Sequence, residues 1–139
     1  MSHTYIDVTP EAGRAFFQRQ LSGEVVMLNL LRFRETADYT AAPHLAPDQP
    51  ISGQEAYARY TQAVLPLLRE AGSEVIFQGQ GGDFLIGPPD EGWDLALLVR
   101  HRSVERFMAF ASQDSYLRIA GHRTAALADS RLLPLIVPG

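Results

Sequence analysis

The sequence predicts an α+β fold in which one antiparallel sheet carries helices on one face. The main observation is the order of its apolar patterns: an extra helix, then strand, helix, strand, strand, helix and strand. That βαββαβ order is the ferredoxin-like arrangement. A length of 139 residues fits a single domain, residues 1–139. Two strand segments are apolar almost throughout, which is typical of central strands covered on both faces.

The first element is a short helix outside the βαββαβ core. Thr9 is a typical N-cap with Pro10 at the first helical position, and Gly23 is expected to end the helix. VVMLNLLRF, which begins at Val25, is the first strand, and its near-continuous hydrophobicity indicates a central position. The segment 35–52 is rich in proline and too long for a tight connection, so it is either a mobile loop or a lid.

The second helix is predicted to begin near residue 53 and to end at Gly72, with Pro66 expected to bend or break it. A strand is predicted for SEVIFQGQ, continuing into DFLIG. Its glycines indicate a bulge or a bend. The apolar face of the helix carries Tyr57, Tyr60, Val64, Leu67 and Leu68. The glycines of the strand are Gly79, Gly81 and Gly82.

The C-terminal part is predicted to contain two strands and helical segments between them. WDLALLVRHR is the second strongly apolar strand. Ser103 is a natural N-cap for VERFMAFA, and Asp114 or Ser115 is expected to cap the following stretch, YLRIAGHRTAALA. SRLLPLIV reads as a last strand, and Pro134 within it indicates an edge strand or a bulge.

The predicted sheet has one face that the chain itself does not cover. Helices protect only one side in this arrangement, whereas the first and third strands are apolar on both sides. A large exposed apolar surface is unusual in a monomer, and a second copy of the same sheet is its simplest cover. We therefore expect a homodimer.

Composition and motifs exclude several functional classes. The net charge of -4, without long like-charge runs, provides no footprint for nucleic acid or an anionic membrane. The chain has no Cys, which removes disulfides and thiolate chemistry and suits a reducing compartment. No signal peptide and no apolar run of spanning length is visible, so we expect a cytoplasmic protein. Phosphate-loop, metal-binding and nucleophile-elbow motifs are absent, and no cofactor or metal is expected.

Polar side chains at apolar positions indicate a small-molecule site. Asn29 interrupts the first strand, and it either satisfies a local backbone group or faces a pocket. Tyr57 and Tyr60 lie on the apolar face of the second helix, where they either pack in the core or line that pocket. Arg123 lies on the inward face of the last helix. It needs either a carboxylate such as Asp94 or Asp129, or an anionic ligand.

Two further residues complete the predicted site. His122 is the one good candidate for proton transfer near neutral pH if it reaches the pocket, although its position next to Arg123 favours the rim of the helix. Asp94 lies at the start of the third strand, where its carboxylate could form an ion pair with an arginine side chain.

The stretches VVMLNLLRFRE, GQEAYARY, WDLALLVRHRSVERFMAF and SYLRIAGHRTAALADSRLLPL, in this order, resemble the domain of unknown function family 1330 of the dimeric α/β-barrel superfamily. The resemblance runs from about Val25 to Leu135. It implies a ferredoxin-like monomer whose sheet pairs with that of a second copy to form a barrel, and it implies no reaction. The N-terminal helix and the segment 35–52 look additional to the family core.

Two functional hypotheses follow. In the first, the chain is a homodimer that binds a small carbonyl or carboxylate compound between sheet and helices, and it acts as a cofactor-independent enzyme with His122 as acid or base. Its ligand-binding residues are Asn29, Tyr57, Tyr60, Asp94 and Arg123. In the second, the chain is a non-catalytic dimer whose inward polar residues form an internal network.

Overall fold

The computed structural model describes residues 3–137, and it has the predicted α+β architecture. Four antiparallel strands form one sheet in the order β2-β3-β1-β4. The elements are α1 Pro10–Gln18, β1 Val25–Phe33, a 3-10 turn Pro43–Leu45, α2 Gly53–Glu70, β2 Glu74–Asp83, β3 Gly92–His101, α3 Val104–Ser112, α4 Asp114–Ala126 and β4 Leu127–Ile136. No helix in the range 3–137 is long and apolar enough to cross a membrane.

Helix α1 begins as predicted but ends earlier. The side chain of Thr9 accepts a hydrogen bond from the Ala12 N–H at 3.1 Å. The helix stops at Gln18, because Gln20 adopts a positive φ of 50° that no α-helix accommodates. Gly23 lies in the following turn, so the expectation that it ends the helix is wrong.

Strand β1 occupies the predicted central position, between β3 and β4. Val25, Met27 and Leu31 point to one face and are buried. Asn29 points to the same face and lies between Leu97 of β3 and Leu132 of β4. That face packs against α2 and α4, so the helices cover the side of the sheet that carries the amide.

Helix α2 continues through Pro66, so the expected break does not occur. Pro66 lies on the exposed side of the helix, where water can satisfy the carbonyl that loses its N–H partner. The Ser52 side chain caps the helix by accepting from the Glu55 N–H at 3.0 Å. The buried side of α2 then presents Ala56, Tyr57, Tyr60, Val64 and Leu68 to the sheet.

The glycines of β2 do not form the expected bulge. The register shift lies between Val75 and Phe77, and the strand ends at Asp83, so DFLIG is not a strand. Gly81 has another role, since a Cβ there would clash with the carbonyl oxygen of Trp93. The absence of a side chain at Gly81 lets β2 and β3 approach closely.

Beyond β3, the chain forms two helices and the edge strand β4. Ser103 caps α3 as predicted, accepting from the Arg106 N–H at 3.1 Å. Asp114 and Ser115 do not cap α4, because the helix begins at Asp114 and the preceding Gln113 makes no side-chain cap. Helix α4 runs directly into β4, and Pro134 lies in this edge strand, as its sequence context indicated.

The second face of the sheet is apolar and open to solvent. Alternate residues of three strands form it, and Leu133 of β4 is 54% exposed. We call this set the open sheet face: Val26, Leu28, Leu30, Ala96, Leu98, Leu133 and Leu135. These side chains are half-buried or exposed, whereas those pointing to the helices form the core.

Candidate functional site

The predicted tyrosines lie together in an aromatic cluster beneath α2. The Tyr57 ring packs against Phe33 at 5.5 Å and against Tyr60 at 5.3 Å between centroids. The Tyr60 hydroxyl forms a 3.0 Å hydrogen bond with the Tyr116 hydroxyl of α4. Tyr116 was not among the predicted site residues. It lies two helical turns before Arg123 on the same face of α4, and this spacing could have indicated it.

Burial changes the acidity of both phenols. It raises the pKa of Tyr57 to about 12 and the pKa of Tyr60 well above its ordinary value, although the nearby Arg123 guanidinium opposes both shifts. Both hydroxyls therefore keep their protons well into the alkaline range and have a proton to donate. No fully buried side-chain oxygen or nitrogen in residues 3–137 lacks a partner. The Tyr57 hydroxyl, which has no protein partner in that range, thus reaches accessible space.

Arg123 approaches this cluster from α4 without the predicted carboxylate. Its Nη1 donates to the backbone carbonyl of Ile6 at 2.7 Å. Asp129 is engaged by Arg32 at 3.2 Å and by Arg131 at 2.7 Å. Of the two alternatives for Arg123, the internal salt bridge with Asp94 or Asp129 is thus not formed among residues 3–137. Asp129 pairs across the sheet with Arg32, on the face away from the helices, so it cannot meet a side chain from α4.

Asp94 and Asn29 are both hydrogen-bonded to backbone groups. The exposed Asp94 carboxylate accepts from the Phe33 N–H at 2.8 Å, and the Phe33 ring contacts Tyr57. Asn29 Nδ2 donates to the Met27 carbonyl at 3.3 Å, which is the local role that one interpretation assigned to it. Its half-buried side chain has no other partner among residues 3–137.

His122 faces away from the tyrosine cluster, toward the segment 35–52. Its Nδ1 lies 2.7 Å from the Tyr39 hydroxyl, and the two rings meet edge to face with centroids 5.6 Å apart. Burial lowers the pKa of His122, and Arg59 and His44 lower it further. The imidazole is thus neutral at pH 7. Tyr39 lies in an irregular segment, where no periodic pattern could have indicated it.

A second histidine, His101, is buried where the sequence indicated only a strand end. Its Nδ1 lies 2.8 Å from the Ser73 hydroxyl, and both side chains are buried. Phe107 and Phe110 enclose the ring at 4.9 and 5.9 Å. Burial lowers the pKa of His101 to about 4. Alternation on β3 could have identified it as inward-facing.

Two surface cavities lie outside the tyrosine cluster. One, of about 240 Å³, is lined by Phe17, Leu21 and Val104 at the junction of α1 and α3. The other, of about 340 Å³, lies within the segment 35–52 and includes Tyr39 in its wall. Neither is lined by a predicted site residue. The range 3–137 contains no group of three or more acidic or histidine side chains that could hold a metal ion.

Comparison with known proteins assigns the chain to a family. The profile described as "Domain of unknown function (DUF1330)" matches residues 48–135. The chain belongs to the DUF1330 family. No curated protein matches it.

Solved structures confirm the fold of this DUF1330 member. RPA0582, a protein of unknown function from Rhodopseudomonas palustris, is 36% identical over 98% of this chain and 100% of its own, with a TM-score of 0.83. A dabb family protein with a ferredoxin-like fold from Mesorhizobium loti is 8% identical, over 85% of this chain and 100% of its own, with a TM-score of 0.53. A dimeric protein of unknown function with a ferredoxin-like fold from Bacteroides fragilis is 11% identical, over 81% and 94%, with a TM-score of 0.50. The predicted ferredoxin-like fold is therefore confirmed.

Proposed function

We propose that this chain is a cytoplasmic, single-domain homodimer that binds a small carbonyl or carboxylate compound between its sheet and its helices. The observation that carries the proposal is the position of Arg123, whose guanidinium lies beside two buried neutral phenols and bonds a backbone carbonyl instead of a carboxylate. A guanidinium forms its strongest contacts with a carboxylate, and a partly desolvated one is stabilised when such a partner arrives.

The other predicted residues have complementary roles in this proposal. The Tyr57 hydroxyl donates to a ligand oxygen, and Tyr60 is held in place by its bond to Tyr116. Asn29 contributes its amide oxygen from the sheet. Asp94 is connected to the site indirectly, because its carboxylate accepts from the backbone N–H of Phe33, whose ring contacts Tyr57. His122 is the proposed acid or base for a ligand long enough to reach the Tyr39 pair, since its lowered pKa keeps the imidazole neutral.

Replacement of Arg123 tests the ligand site. We expect benzoate and pyruvate to raise the melting temperature of the protein, and benzamide to have a smaller effect because it carries no charge. In Arg123→Met, we expect carboxylate affinity to fall at least about tenfold, the loss of one charge-assisted contact. Titration calorimetry measures the affinities. Arg118→Met, on the exposed side of the same helix, is the matched control and should bind as the unchanged protein does.

The second hypothesis, an internal structural network, has an observation of its own. The Arg123 bond to Ile6 and the Tyr60 bond to Tyr116 tie the N-terminal segment, α2 and α4 together. If Arg123→Met strongly lowers the melting temperature and no carboxylate binds either protein, the network is the better account. A site maintained for function predicts unchanged or higher stability in the variant.

The homodimer is supported by the open sheet face. Its leucines and valine would be covered by the same face of a second copy, which is an isologous contact. The Bacteroides fragilis protein of the same fold is described as dimeric. Packing the open sheet face of one copy against that of the other would remove a large apolar area from water. This burial is the main driving force for such association.

Light scattering tests the homodimer. At micromolar concentration we expect twice the chain mass of 15.4 kDa. Leu133→Asp should weaken the dimer by more than about a hundredfold, since a buried unpaired carboxylate costs several kcal/mol. Leu117→Asp on α4 replaces a leucine of similar exposure outside the sheet and should remain dimeric. A monomeric mass for the unchanged protein would contradict the proposal.

A further inference from the structure

The hairpin between β2 and β3 ends in an apolar tip that the rest of the chain does not cover. Phe84, Leu85 and Ile86, here called the tip, follow β2 directly. Leu85 is fully exposed and Ile86 is 93% exposed. Two adjacent aliphatic side chains with this exposure are costly in a free surface loop, and such groups commonly mark a contact with another molecule.

The arm that carries the tip is acidic. Residues 74–99 contain no Arg, Lys or His, and their charged residues are Glu74, Asp83, Asp90, Glu91 and Asp94. Asp83 and Asp90 flank the tip on either side. This charge disfavours insertion into an anionic lipid surface, and it favours a partner surface that combines aromatic groups with cations.

Such a surface exists on the β1 and β4 side of the same sheet. Arg131 lies over the rings of Tyr5 and Trp93, each at 5.0 Å, and Arg32 lies over Trp93 at 5.6 Å. The side chains of Arg32 and Arg131 are 35% and 38% exposed, and they share the one carboxylate of Asp129. We call Tyr5, Arg32 and Arg131 the basic edge.

The basic edge is rigidly held. The Tyr5 N–H donates to Asp129 at 2.9 Å, and the Tyr5 carbonyl accepts from the Ser130 hydroxyl at 2.6 Å. Tyr5 is nevertheless 55% exposed. A fixed, half-open aromatic and cationic surface is well suited to receive an apolar segment with acidic flanks.

Strand direction places the tip and the basic edge at the same end of the sheet. Because β3 is antiparallel to β1, β2 ends and β3 begins where β1 ends, and β4 begins there too. The tip extends from the edge strand β2, whereas Arg131 lies on the opposite edge strand β4 and Arg32 on its neighbour β1. A twofold axis parallel to the strands would bring the tip of one copy over the basic edge of the other.

We propose that in the homodimer the tip of each protomer packs against the basic edge of its partner, with the twofold axis parallel to the strands. The inference rests on the proposed dimer and adds its geometry. The two contacts are equivalent, as an isologous interface requires. In each, Leu85 and Ile86 cover the aromatic surface, while Asp83 and Asp90 approach Arg131 and Arg32.

Disulfide trapping tests this arrangement, because the chain has no native Cys. Leu85→Cys and Tyr5→Cys are made separately, mixed and oxidised. We expect a disulfide-linked dimer in the mixture and little in either variant alone, since only the mixture can join a tip to a partner's edge. A mixture of Leu85→Cys with Arg69→Cys, an exposed position on α2, is the matched control and should stay unlinked. Efficient linking of Leu85→Cys to itself would place tip against tip and overturn the proposal.

Charge variants provide an independent readout. Asp83→Arg should weaken the dimer at least about tenfold by placing like charges together, and adding Arg131→Asp to the same chain should restore it. Light scattering distinguishes loss of the dimer from a different placement of the tip within it. A monomeric unchanged protein overturns the dimer itself, whereas a dimer without trans linking and without charge rescue overturns only the arrangement proposed for the tip. Binding of the unchanged protein to phosphatidylcholine vesicles, lost in Leu85→Asp, would assign the tip to membranes and also overturn it.

Discussion

Acidification from pH 7 to pH 4 should lower the free energy of unfolding by about 3 kcal/mol through His101 alone. Burial lowers the pKa of this imidazole to about 4 in the folded chain, from an ordinary value of 6.5. Each pKa unit corresponds to about 1.4 kcal/mol, so a difference of about 2.5 units corresponds to roughly 3 kcal/mol.

The sign follows from the order in which the two states bind the proton. As the pH falls through 6.5, the unfolded chain protonates His101 while the folded chain does not, so the unfolded state is stabilised. The loss continues until about pH 4, where the folded chain binds the proton as well. The stability associated with neutral His101 is therefore fully present above pH 6.5.

The measurement is urea unfolding at several pH values between 4 and 7.5. His101→Asn retains a polar partner for Ser73 but does not titrate, so its stability should vary less with pH by about 3 kcal/mol over this range. His3→Asn, at an exposed position, is the matched control and should retain the slope of the unchanged protein. Equal slopes in His101→Asn and the unchanged protein would show that His101 is not responsible.

Gly53→Ala is expected to destabilise the fold by about 3 kcal/mol or more, because the substituted side chain meets backbone on two sides. A Cβ at this position would overlap the Arg34 carbonyl oxygen and lie 2.5 Å from the Ala126 carbonyl oxygen. Gly53 N–H also donates to Arg34 at 3.0 Å, and Arg34 N–H donates to Ala126 at 2.8 Å. One residue thus joins the end of β1, the start of α2 and the end of α4.

Gly82→Ala is the matched control, since a Cβ there has no atom within 4 Å. It should change the stability by well under 1 kcal/mol, within the range of ordinary surface substitutions. Chemical denaturation of both variants decides the matter. If Gly53→Ala proved as stable as Gly82→Ala, the ends of β1 and α4 and the start of α2 would be able to move apart there without loss of stability.

Most of the fold was predictable because it depends on local patterns. The near-continuous hydrophobicity of VVMLNLLRF, the helical spacing of Tyr57 and Tyr60, and the caps Thr9 and Ser103 each depend on residues close together in the chain. The errors arose where distant groups decide the local outcome. Gly81 reads as a break in a strand, but its role is to admit the carbonyl of Trp93 from the neighbouring strand.

Helical spacing correctly predicted that Tyr57 and Tyr60 share one face of α2, whereas neither carboxylate considered as a partner of Arg123 is the group it meets. Helical spacing brought Tyr57 and Tyr60 to one face, and α4 brought Arg123 beside them. The Asp129 pairing failed because side-chain partners depend on which face of the sheet a strand presents. The His122 contact with Tyr39 could not be predicted either, since it joins a helix to an irregular segment 83 positions away in the chain.

Periodicity, caps and the apolar strands were sufficient to specify an antiparallel α+β sheet with one unprotected face, because each depends on residues close together in the chain. Alternation placed Asn29 on the same face of β1 as Val25, Met27 and Leu31, and the tertiary structure showed that the helices cover this face. Only the tertiary structure decided that Arg123 bonds Ile6, that His101 is buried with Ser73, and that the tip carries exposed leucine and isoleucine. These facts depend on which elements meet in space, and contacts between elements far apart in sequence have no local signal.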